Sequence, residues 1–287
     1  MLIKPSRDAV DRLVRAALDE DAPWGDLTSR ALVPASARAA MQLVARESGV
    51  LSGEGVFSAA MSLTDEATST QFHFHDGQDF TAGAVLAMVE GPAHSVLQAE
   101  RVALNFTQRM SGIATLTRQY VLAVDGTHAR VVDTRKTTPG LRLLERYAVR
   151  CGGGHNHRFS LSDAVMVKDN HLAVIAASGI LDVRDALRAM RAGLPHTTHI
   201  EVEVDRPEQI EAVLAGGADS ILLDNFTTKQ LRAAVAQVAG RALIEASGGI
   251  TLERMREVAE TGVDIISVGA LTHSVRALDL GLDFLPS

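Results

Sequence analysis

The sequence predicts an α/β protein: a parallel α/β barrel of about six strands, TIM-like but incomplete, after an antiparallel α+β module. From Ala129 onward, short apolar runs alternate with helical segments, which is typical of parallel strands joined by crossover helices. Before Pro92, shorter alternating runs are separated by glycines, as in antiparallel strands. A doubly wound open sheet is the alternative, since six strands are fewer than the eight of a complete TIM barrel.

The first module should begin with a helix, because apolar residues from Val10 to Leu18 recur at helical spacing. Later runs alternate with the period of two that strands require. The expected elements are, in order, a helix over Asp8–Leu18, a turn at Pro23–Gly25, strands near Met41–Arg46 and Phe72–His75, and helices over His94–Arg109 and Gly112–Val124.

The barrel strands are expected at the later apolar runs. These are Arg130–Asp133, Ala164–Val167, His199–Val204, Ser220–Leu223, Ala242–Glu245 and Asp264–Val268. Each run ends near polar residues or glycines, and the carboxyl ends of parallel strands form the active-site face of such folds. The residues expected to converge there are Arg135 and Lys136, Lys168, Glu203, Asp224, Ser247, Gly248, Gly249 and Gly269.

Length and composition narrow the class of protein. A chain of 287 residues with 46% hydrophobic content can form one large domain or two smaller ones. The net charge of −7 argues against binding to nucleic acid, and an aromatic content of 4% leaves few surfaces for base stacking. We expect a cytoplasmic protein without membrane segments, because no apolar run of about 18 residues and no signal-type start at Met1 is present. Cys151 is the single cysteine, which excludes an intrachain disulfide.

A basic group spans the first two strand ends of the barrel. Arginine binds carboxylates through two parallel hydrogen bonds and lysine adds a point charge, so the group suits a ligand with several carboxylates or phosphates. The alternative is a set of solvated loop charges, although Asp133 and Asp169 alone are too few to neutralise them. The members of this group are Arg135, Lys136, His157, Arg158 and Lys168.

Glu201 and Glu203 lie two residues apart on one strand, so both side chains should face the interior of the barrel. Asp224, at the end of the next strand, would lie beside Glu203 and complete a paired-carboxylate site for Mg²⁺. The alternative is a buried salt bridge from Glu203 to Lys168 or Arg135. Both interpretations hold if the metal arrives with the substrate.

Ser247, Gly248 and Gly249 precede a helix predicted over Leu252–Glu260, with Thr251 as its N-cap. Glycines in such a turn allow backbone N–H groups to approach a phosphate at a helix N-terminus. Gly269 and Ala270 follow the last strand, where barrels often complete a phosphate site. An ordinary loop is the alternative for this turn.

A zinc site built from Cys151, His155 and His157 has suitable residue types. Arg150 and Arg158 flank it in sequence, however, and their charges disfavour a cation there. We therefore expect no zinc at these positions.

An ordered set of segments from Arg101 to Ser274 resembles the quinolinate phosphoribosyltransferase family. Upstream, Glu20 to Ser29 and Arg46 to Gly53 are similar more loosely. The closely matching segments are RVALNFTQRMSGIAT (101–115), DTRKTTPGLR (133–142), YAVRCGGGHNHR (147–158), KDNH (168–171), EVEV (201–204), LDNF (223–226), EASGGI (245–250) and ISVGALTHS (266–274).

The resemblance implies an N-terminal α+β sandwich domain over 1–104 and a catalytic barrel over 105–274, with a tail, 275–287, that packs on the first domain. It also implies a homodimer, or a higher assembly of dimers, whose active sites lie at the subunit interface. The implied reaction is phosphoribosyl transfer from phosphoribosyl pyrophosphate to quinolinate with decarboxylation, in NAD biosynthesis.

The resemblance also implies residue roles. Arg135, His157, Arg158 and Lys168 would hold quinolinate, together with Arg101 of the partner subunit. Glu203 and Asp224 would bind the ribose hydroxyls and Mg²⁺ of phosphoribosyl pyrophosphate, and Lys136 would add positive charge. The 5-phosphate would lie against Ser247, Gly248, Gly249, Gly269 and Ala270. The side chains expected to take part in the chemistry are Lys136, Lys168, Glu203 and Asp224.

Three other functions remain open at this point. A sister transferase could use nicotinate or another heterocyclic acid, although paired Arg135 and Arg158 with His157 favour a diacid. A non-catalytic sensor of phosphorylated metabolites would not explain the paired carboxylates. An aldolase-type barrel could use Lys168 to form a Schiff base, which borohydride would trap.

Overall fold

The computed structural model describes residues 2–178 and 182–285. Met1, residues 179–181 and the last two residues of the predicted tail, 286–287, lie outside this range. The helices are α1 (Arg7–Asp21), α2 (Leu27–Leu32), α3 (Glu54–Thr64), α4 (Ala93–Ala123), α5 (Arg142–Cys151), α6 (Asp169–Ser178), α7 (Val183–Ala192), α8 (Ile210–Ala215), α9 (Thr228–Val238), α10 (Met255–Ala259) and α11 (Ala270–His273), with 3₁₀ turns at Pro207–Gln209 and Leu252–Arg254.

Six strands agree closely with the apolar runs predicted for the barrel, whereas the strand predicted near Phe72–His75 was placed too late, because the observed strand ends at Phe72. The strands of the described residues are given in chain order. They are β1 (Arg38–Ala45), β2 (Gly49–Val50), β3 (Ser69–Phe72), β4 (Asp79–Phe80), β5 (Val85–Pro92), β6 (Arg130–Val132), β7 (Val165–Val167), β8 (Ile200–Val204), β9 (Ser220–Asp224), β10 (Leu243–Ser247), β11 (Ile265–Ser267) and β12 (Leu280–Phe284).

The chain packs as two compact units. The first contains the described residues of Met1–Arg118, Thr137–Gly153 and Ala270–Ser287, and the second contains those of Gln119–Lys136 and Gly154–Gly269. Residues 105–118, 137–153 and 270–274, which were assigned to the barrel from the sequence, thus belong to the first unit, together with the tail.

The first unit is built on an antiparallel sheet in the order β12-β1-β5-β3. Met41 in β1 pairs with Phe284 in β12 on one side and with Val89 in β5 on the other. β1 alternates buried and less buried residues from end to end, which is the period-two pattern of the sequence. Helix α1 packs on α3 in the same unit.

Helix α4 is continuous, whereas two helices were predicted in its place, so that prediction was wrong. A glycine in a helix costs about 1 kcal/mol relative to alanine, which favours a break. At Gly112 a Cβ atom would lie 2.2 Å from the carbonyl oxygen of Arg276, so glycine there allows close backbone packing inside an unbroken helix.

The second unit is built on a parallel sheet of six strands in the order β6-β11-β10-β9-β8-β7. β6 and β7 are at opposite edges of this order, yet Arg135, just after β6, and Lys168, just after β7, line the same cavity. The sheet therefore curls into a barrel. No ladder joins β6 to β7 in the described residues, which confirms the prediction of an incomplete six-stranded barrel.

The helix predicted after β10 begins as the 3₁₀ turn at Leu252–Arg254 and continues as the short α10. Thr251 occupies the N-cap position with an extended backbone, but its side chain makes no capping hydrogen bond to the turn. Across residues 2–178 and 182–285, no helix combines the length and the apolar content that a membrane crossing needs.

Candidate active site

A cavity of about 410 Å³ opens at the carboxyl ends of the barrel strands, and we call it the carboxyl-end cavity. Eight of the residues predicted for the site line it, although they are far apart in sequence. The lining residues are Thr134, Arg135, Lys136, His157, Arg158, Met166, Lys168, Glu203, Leu222, Asp224, Glu245, Ser247 and Ser267.

Two arginines at this cavity carry like charges that influence each other. Burial lowers the pKa of Arg158, and the positive charge of Arg135 lowers it further. Arg158 Nη1 donates a hydrogen bond to the carbonyl oxygen of Ala164 at 2.8 Å, which holds its side chain in place. The buried Nε of Arg135 has no hydrogen-bond partner in the described part of the chain. Because a buried donor without a partner is costly, this arrangement favours a bound anion.

Glu203 faces Lys168 across the cavity, with 3.1 Å between Oε2 and Nζ. The salt bridge considered from the sequence is thus present, and its partner is Lys168 and not Arg135. Glu203 is opposite Leu222 in the ladder between β8 and β9, so Asp224, two residues further along, lies on the same face of the sheet.

This pair of carboxylates fits the donor set that Mg²⁺ prefers. Mg²⁺ typically takes one or two carboxylates and completes its coordination with water and substrate phosphate oxygens. Glu203 and Asp224 both line the cavity, and Lys168 already places a positive charge against Glu203. The residues present therefore suit a magnesium ion that arrives with a phosphorylated substrate.

The turn after β10 requires glycine at one position. Gly248 has φ of 93°, and a Cβ atom there would lie 2.2 Å from Oδ1 of Asn225, in the turn after β9. Gly249 also has positive φ, 57°, but nothing lies within 4 Å of its Cβ position. Ser247 lines the cavity, whereas the two glycines, Gly269 and Ala270 are not among the lining residues. Backbone geometry at this turn agrees with a phosphate cradle.

A buried acidic pair lies beside the cavity, which Glu245 lines, and sequence reasoning assigned neither member a role there. Glu201 is 5% exposed and Glu245 is 2% exposed. His157 Nε2 lies 2.9 Å from Glu201 Oε2 and 3.8 Å from Glu245 Oε1. Donor atoms of the three residues are all within 4.8 Å of one another. The distance from His157 to Glu201 is that of a hydrogen bond.

The two buried carboxyls, Glu201 and Glu245, have pKa values shifted in opposite directions. Burial raises the pKa of Glu245, and the negative charge of Glu201 raises it further. Burial also opposes ionisation of Glu201, but the hydrogen bond from His157 leads its other interactions in lowering the pKa of that carboxyl. The pKa of His157 is raised, because its hydrogen bond to Glu201 and the nearby carboxylates outweigh burial. One carboxyl is therefore poised to stay ionised and the other to stay neutral.

Asp133 fixes the segment that carries His157, and its role was also missed. Its side chain is fully buried; Oδ1 accepts a hydrogen bond from the backbone N–H of His157 at 2.7 Å. Oδ2 accepts a second hydrogen bond, from Asn156 Nδ2, at 2.6 Å. An acidic residue at the end of a buried strand was the signal that could have identified it.

Comparison with known proteins decides the family. The sequence patterns that define the N-terminal and C-terminal domains of quinolinate phosphoribosyl transferase match residues 26–111 and 113–283. The nicotinate-nucleotide pyrophosphorylase (carboxylating) of Mycobacterium leprae is 46% identical over 285 residues, which cover 96% of this chain and 97% of that protein. The chain belongs to the quinolinate phosphoribosyltransferase family.

Two further relatives agree with this assignment to the quinolinate phosphoribosyltransferase family. A probable nicotinate-nucleotide pyrophosphorylase (carboxylating) of Bacillus subtilis is 44% identical over 264 residues, which cover 92% of this chain and 89% of that protein. The crystal structure of NadC from Streptococcus pyogenes superposes with a TM-score of 0.92 at 40% identity, over 99% of this chain and 100% of that one. The resemblance stated from the motifs is confirmed.

Arg101, which the quinolinate phosphoribosyltransferase resemblance assigns to the partner's site, lies on α4 in the first unit. It lines a different cavity, of about 410 Å³, together with Glu20, Asp21 and Arg109. Arg109 is anchored there by Glu145, at 2.7 Å between Nη2 and Oε1. The role of Arg101 towards a second subunit stays a prediction.

Cys151 is the thiol that was considered as a zinc ligand. Cys151 is buried on α5 in the first unit, where burial and then the charge of Asp76 raise the pKa of its thiol to about 12. A thiol with so high a pKa is a poor metal ligand, because metals bind the thiolate. Cys151 is also absent from the group formed by His157, Glu201 and Glu245.

Proposed function

We propose that the carboxyl-end cavity carries out the reaction of this chain, phosphoribosyl transfer to quinolinate with decarboxylation, which gives nicotinate mononucleotide for NAD biosynthesis. One observation carries the assignment of the reaction to this cavity. Arg135 and Arg158 form a like-charged pair beside one another, and the Nε of Arg135 is buried without a partner in the described residues. A planar dicarboxylate supplies negative charge to both arginines and an acceptor for the Nε of Arg135.

Quinolinate is a dianion, and the basic side of the cavity would bind it. Arg135 and Arg158 would each pair with a carboxylate, and His157 and Lys168 would contribute to the same subsite. Arg101 of the partner subunit would complete it, which requires at least a homodimer. Bidentate pairing fixes the pyridine ring in one orientation, so its nitrogen can face the sugar.

Phosphoribosyl pyrophosphate would occupy the acidic and glycine-rich side of the cavity. Glu203 and Asp224 would hold the ribose hydroxyls and Mg²⁺, and Lys136 would add charge towards the pyrophosphate. The 5-phosphate would lie against Ser247 and the turn that follows it. Gly248 and Gly249 keep that turn free of side chains, and Gly269 with Ala270 would bound the same subsite.

The chemistry is a displacement at the anomeric carbon of the ribose. The bond to pyrophosphate breaks, positive charge develops on the sugar, and the carboxylate of Glu203 stabilises that charge. Mg²⁺, when bound, supplies charge neutralisation for the departing pyrophosphate. The pyridine nitrogen attacks the same carbon, and its quaternary form then accepts the electron pair left when the 2-carboxylate departs as CO₂.

We also propose that the protein acts in the cytoplasm. Phosphoribosyl pyrophosphate is a soluble, highly charged metabolite, and the single cysteine excludes any intrachain disulfide. This proposal is supported by composition alone, and fractionation of the cells that make the protein would test it.

The reaction is tested by measuring CO₂ and pyrophosphate release from purified protein with quinolinate, phosphoribosyl pyrophosphate and Mg²⁺. We expect both products only when all three are present. Nicotinate offered in place of quinolinate should release little pyrophosphate, because it lacks the second carboxylate. Equal use of nicotinate, or binding of phosphoribosyl pyrophosphate without any turnover, would contradict the proposal.

A further inference from the structure

The barrel holds a second cavity at the amino ends of its strands. This amino-end cavity has a volume of about 400 Å³, and its lining includes the first residues of four strands: Val165, Ser220, Leu243 and Ile265. His157, Arg158 and Glu245 line both this cavity and the carboxyl-end cavity. The wall between the two ends of the barrel is thus only one layer of side chains thick at these positions.

Glu245 is the most deeply buried acid of this wall. It lies in β10, two residues before Ser247, so both side chains project from the same face of the strand. Its Oε1 atom has no hydrogen-bond partner among the described residues. Glu201 from β8 and His157 from the segment after α5 are the ionisable groups that face it, whereas neighbouring β11 contributes the uncharged Ser267 to the same cavity. A neutral carboxyl is the form such an environment favours.

Neither neighbour of Glu245 has a proton available for the carboxyl-end cavity. His157 Nε2 is directed at Glu201, and its Nδ1 accepts the backbone N–H of Arg158 at 2.7 Å. Glu201 accepts from His157 and, at 3.3 Å, from the hydroxyl of Ser220, and it also shares a hydrogen bond with the carboxyl of Glu245. These contacts orient Glu201, and they leave Glu245 as the acid of the group.

The proposed reaction creates a need for such an acid. When CO₂ leaves, the bond between ring carbon 2 and the carboxylate carbon breaks, and its electron pair stays on carbon 2. That pair must become a C–H bond, because the product carries hydrogen where the substrate carried a carboxylate. Neither substrate brings an acidic proton to this position at neutral pH.

We propose that Glu245 is the general acid that protonates carbon 2, and that water in the amino-end cavity returns its proton. The O–H bond of Glu245 breaks, the proton forms the new C–H bond, and the carboxylate is left in the wall between the two cavities. A water molecule on the amino-end side then returns a proton to this carboxylate. Glu245 thus gives its proton to the substrate in the carboxyl-end cavity and takes up a new proton from the amino-end cavity. This proposal depends on the function proposed above.

Two substitutions separate proton donation from a purely structural role. Glu245→Gln keeps the shape and a hydrogen-bonding group but has no acidic proton, whereas Glu245→Asp keeps the acid on a shorter side chain. General acids contribute about 100-fold or more to rate, so we expect kcat to fall by about that factor in Glu245→Gln. We expect the quinolinate KM to stay within about threefold, and Glu245→Asp to exceed Glu245→Gln in kcat by about tenfold or more.

A structural role predicts the opposite order, because the isosteric glutamine preserves packing better than aspartate does. Glu245→Gln with activity equal to or above that of Glu245→Asp would therefore overturn the proposal. Glu211→Gln, on the exposed surface of α8, is the matched control and should retain wild-type kcat. If Glu245→Gln fails to fold by circular dichroism, Glu245→Met replaces it and should show the same loss relative to Glu245→Asp.

The outcome for the wild-type protein separates this inference from the proposed function. If the wild-type protein releases no CO₂ from quinolinate, the proposed function is contradicted. If the wild-type protein releases CO₂ and the Glu245→Gln variant is equally active, only the proposed role of Glu245 is contradicted.

Discussion

The two ends of the barrel differ in charge although the same six strands form both. At the carboxyl ends, four basic side chains and the carboxylates of Glu203 and Asp224 line one cavity of about 410 Å³. At the amino ends, a cavity of similar size, about 400 Å³, shares Arg158 with the first cavity and is otherwise lined by acidic residues, by uncharged groups and by histidines that include the hydrogen-bonded partner of Ser220, His199. Cavity size therefore does not distinguish a binding site here; the number of basic side chains in the lining does.

The largest expected effect is the loss of both carboxylates at the carboxyl ends. In Glu203→Ala combined with Asp224→Ala, two charged contacts to the sugar and metal disappear, so kcat/KM for phosphoribosyl pyrophosphate should fall by about 100-fold or more. Steady-state kinetics over a range of Mg²⁺ concentrations measure this, and a higher Mg²⁺ requirement should accompany the loss. Asp205→Ala, just beyond β8 on an exposed side chain, is the control. Unchanged saturation curves for the double variant would contradict the metal assignment.

The next effect concerns the basic side of the same cavity. Arg135→Ala removes a charge-assisted hydrogen bond worth about 1.5–3 kcal/mol, so turnover of quinolinate should fall by about tenfold or more. Kinetics with varied quinolinate measure the loss in protein whose fold is verified by circular dichroism. Arg130→Ala, at the other end of β6 and exposed, should behave as the wild type. Similar losses in Arg135→Ala and Arg130→Ala would contradict the assignment of quinolinate binding to the carboxyl ends of the strands.

A smaller effect is expected at the turn after β10. Gly249→Ala adds a side chain in open space and should cost about 1 kcal/mol of unfolding free energy, from its positive φ alone. Gly248→Ala adds a collision with Asn225 and should cost about 3 kcal/mol. Denaturant unfolding measures both costs, and only Gly248→Ala should also raise the KM for phosphoribosyl pyrophosphate clearly. Equal effects of the two variants would contradict the assigned close packing.

The smallest effect is expected at the amino ends. His199→Asn alters the contact of an exposed histidine with Ser220, at 2.8 Å, and touches neither proposed substrate subsite. Both substrate KM values should change by less than about twofold, in keeping with the few tenths of a kcal/mol typical of exposed positions. Kinetics under the conditions used for Arg135→Ala make the comparison direct. A change in the KM values of His199→Asn as large as that of Arg135→Ala would contradict the assignment of substrate binding to the carboxyl ends of the strands.

The strands of the barrel and the residues after them were predictable because their signal is local. An apolar run that ends in a charged residue or a glycine identifies a parallel strand and its carboxyl end, and Arg135, Lys168 and Glu203 were found in this way. Glu245 was not, because its role depends on Glu201 and His157, which approach it only after the sheet curls. The continuity of α4 was missed for a similar reason, since the atom that makes Gly112 necessary belongs to Arg276.

The close approach of Gly248 and Asn225 makes the residue allowed in the loop after β10 depend on the backbone of the loop after β9. Shortening Asn225 would remove its Oδ1 and Cγ atoms, but its backbone nitrogen would still lie 2.8 Å from any Cβ at position 248. No exchange at one loop can therefore compensate for a larger residue at the other. The backbones after β9 and β10 therefore keep this close approach only with glycine at position 248.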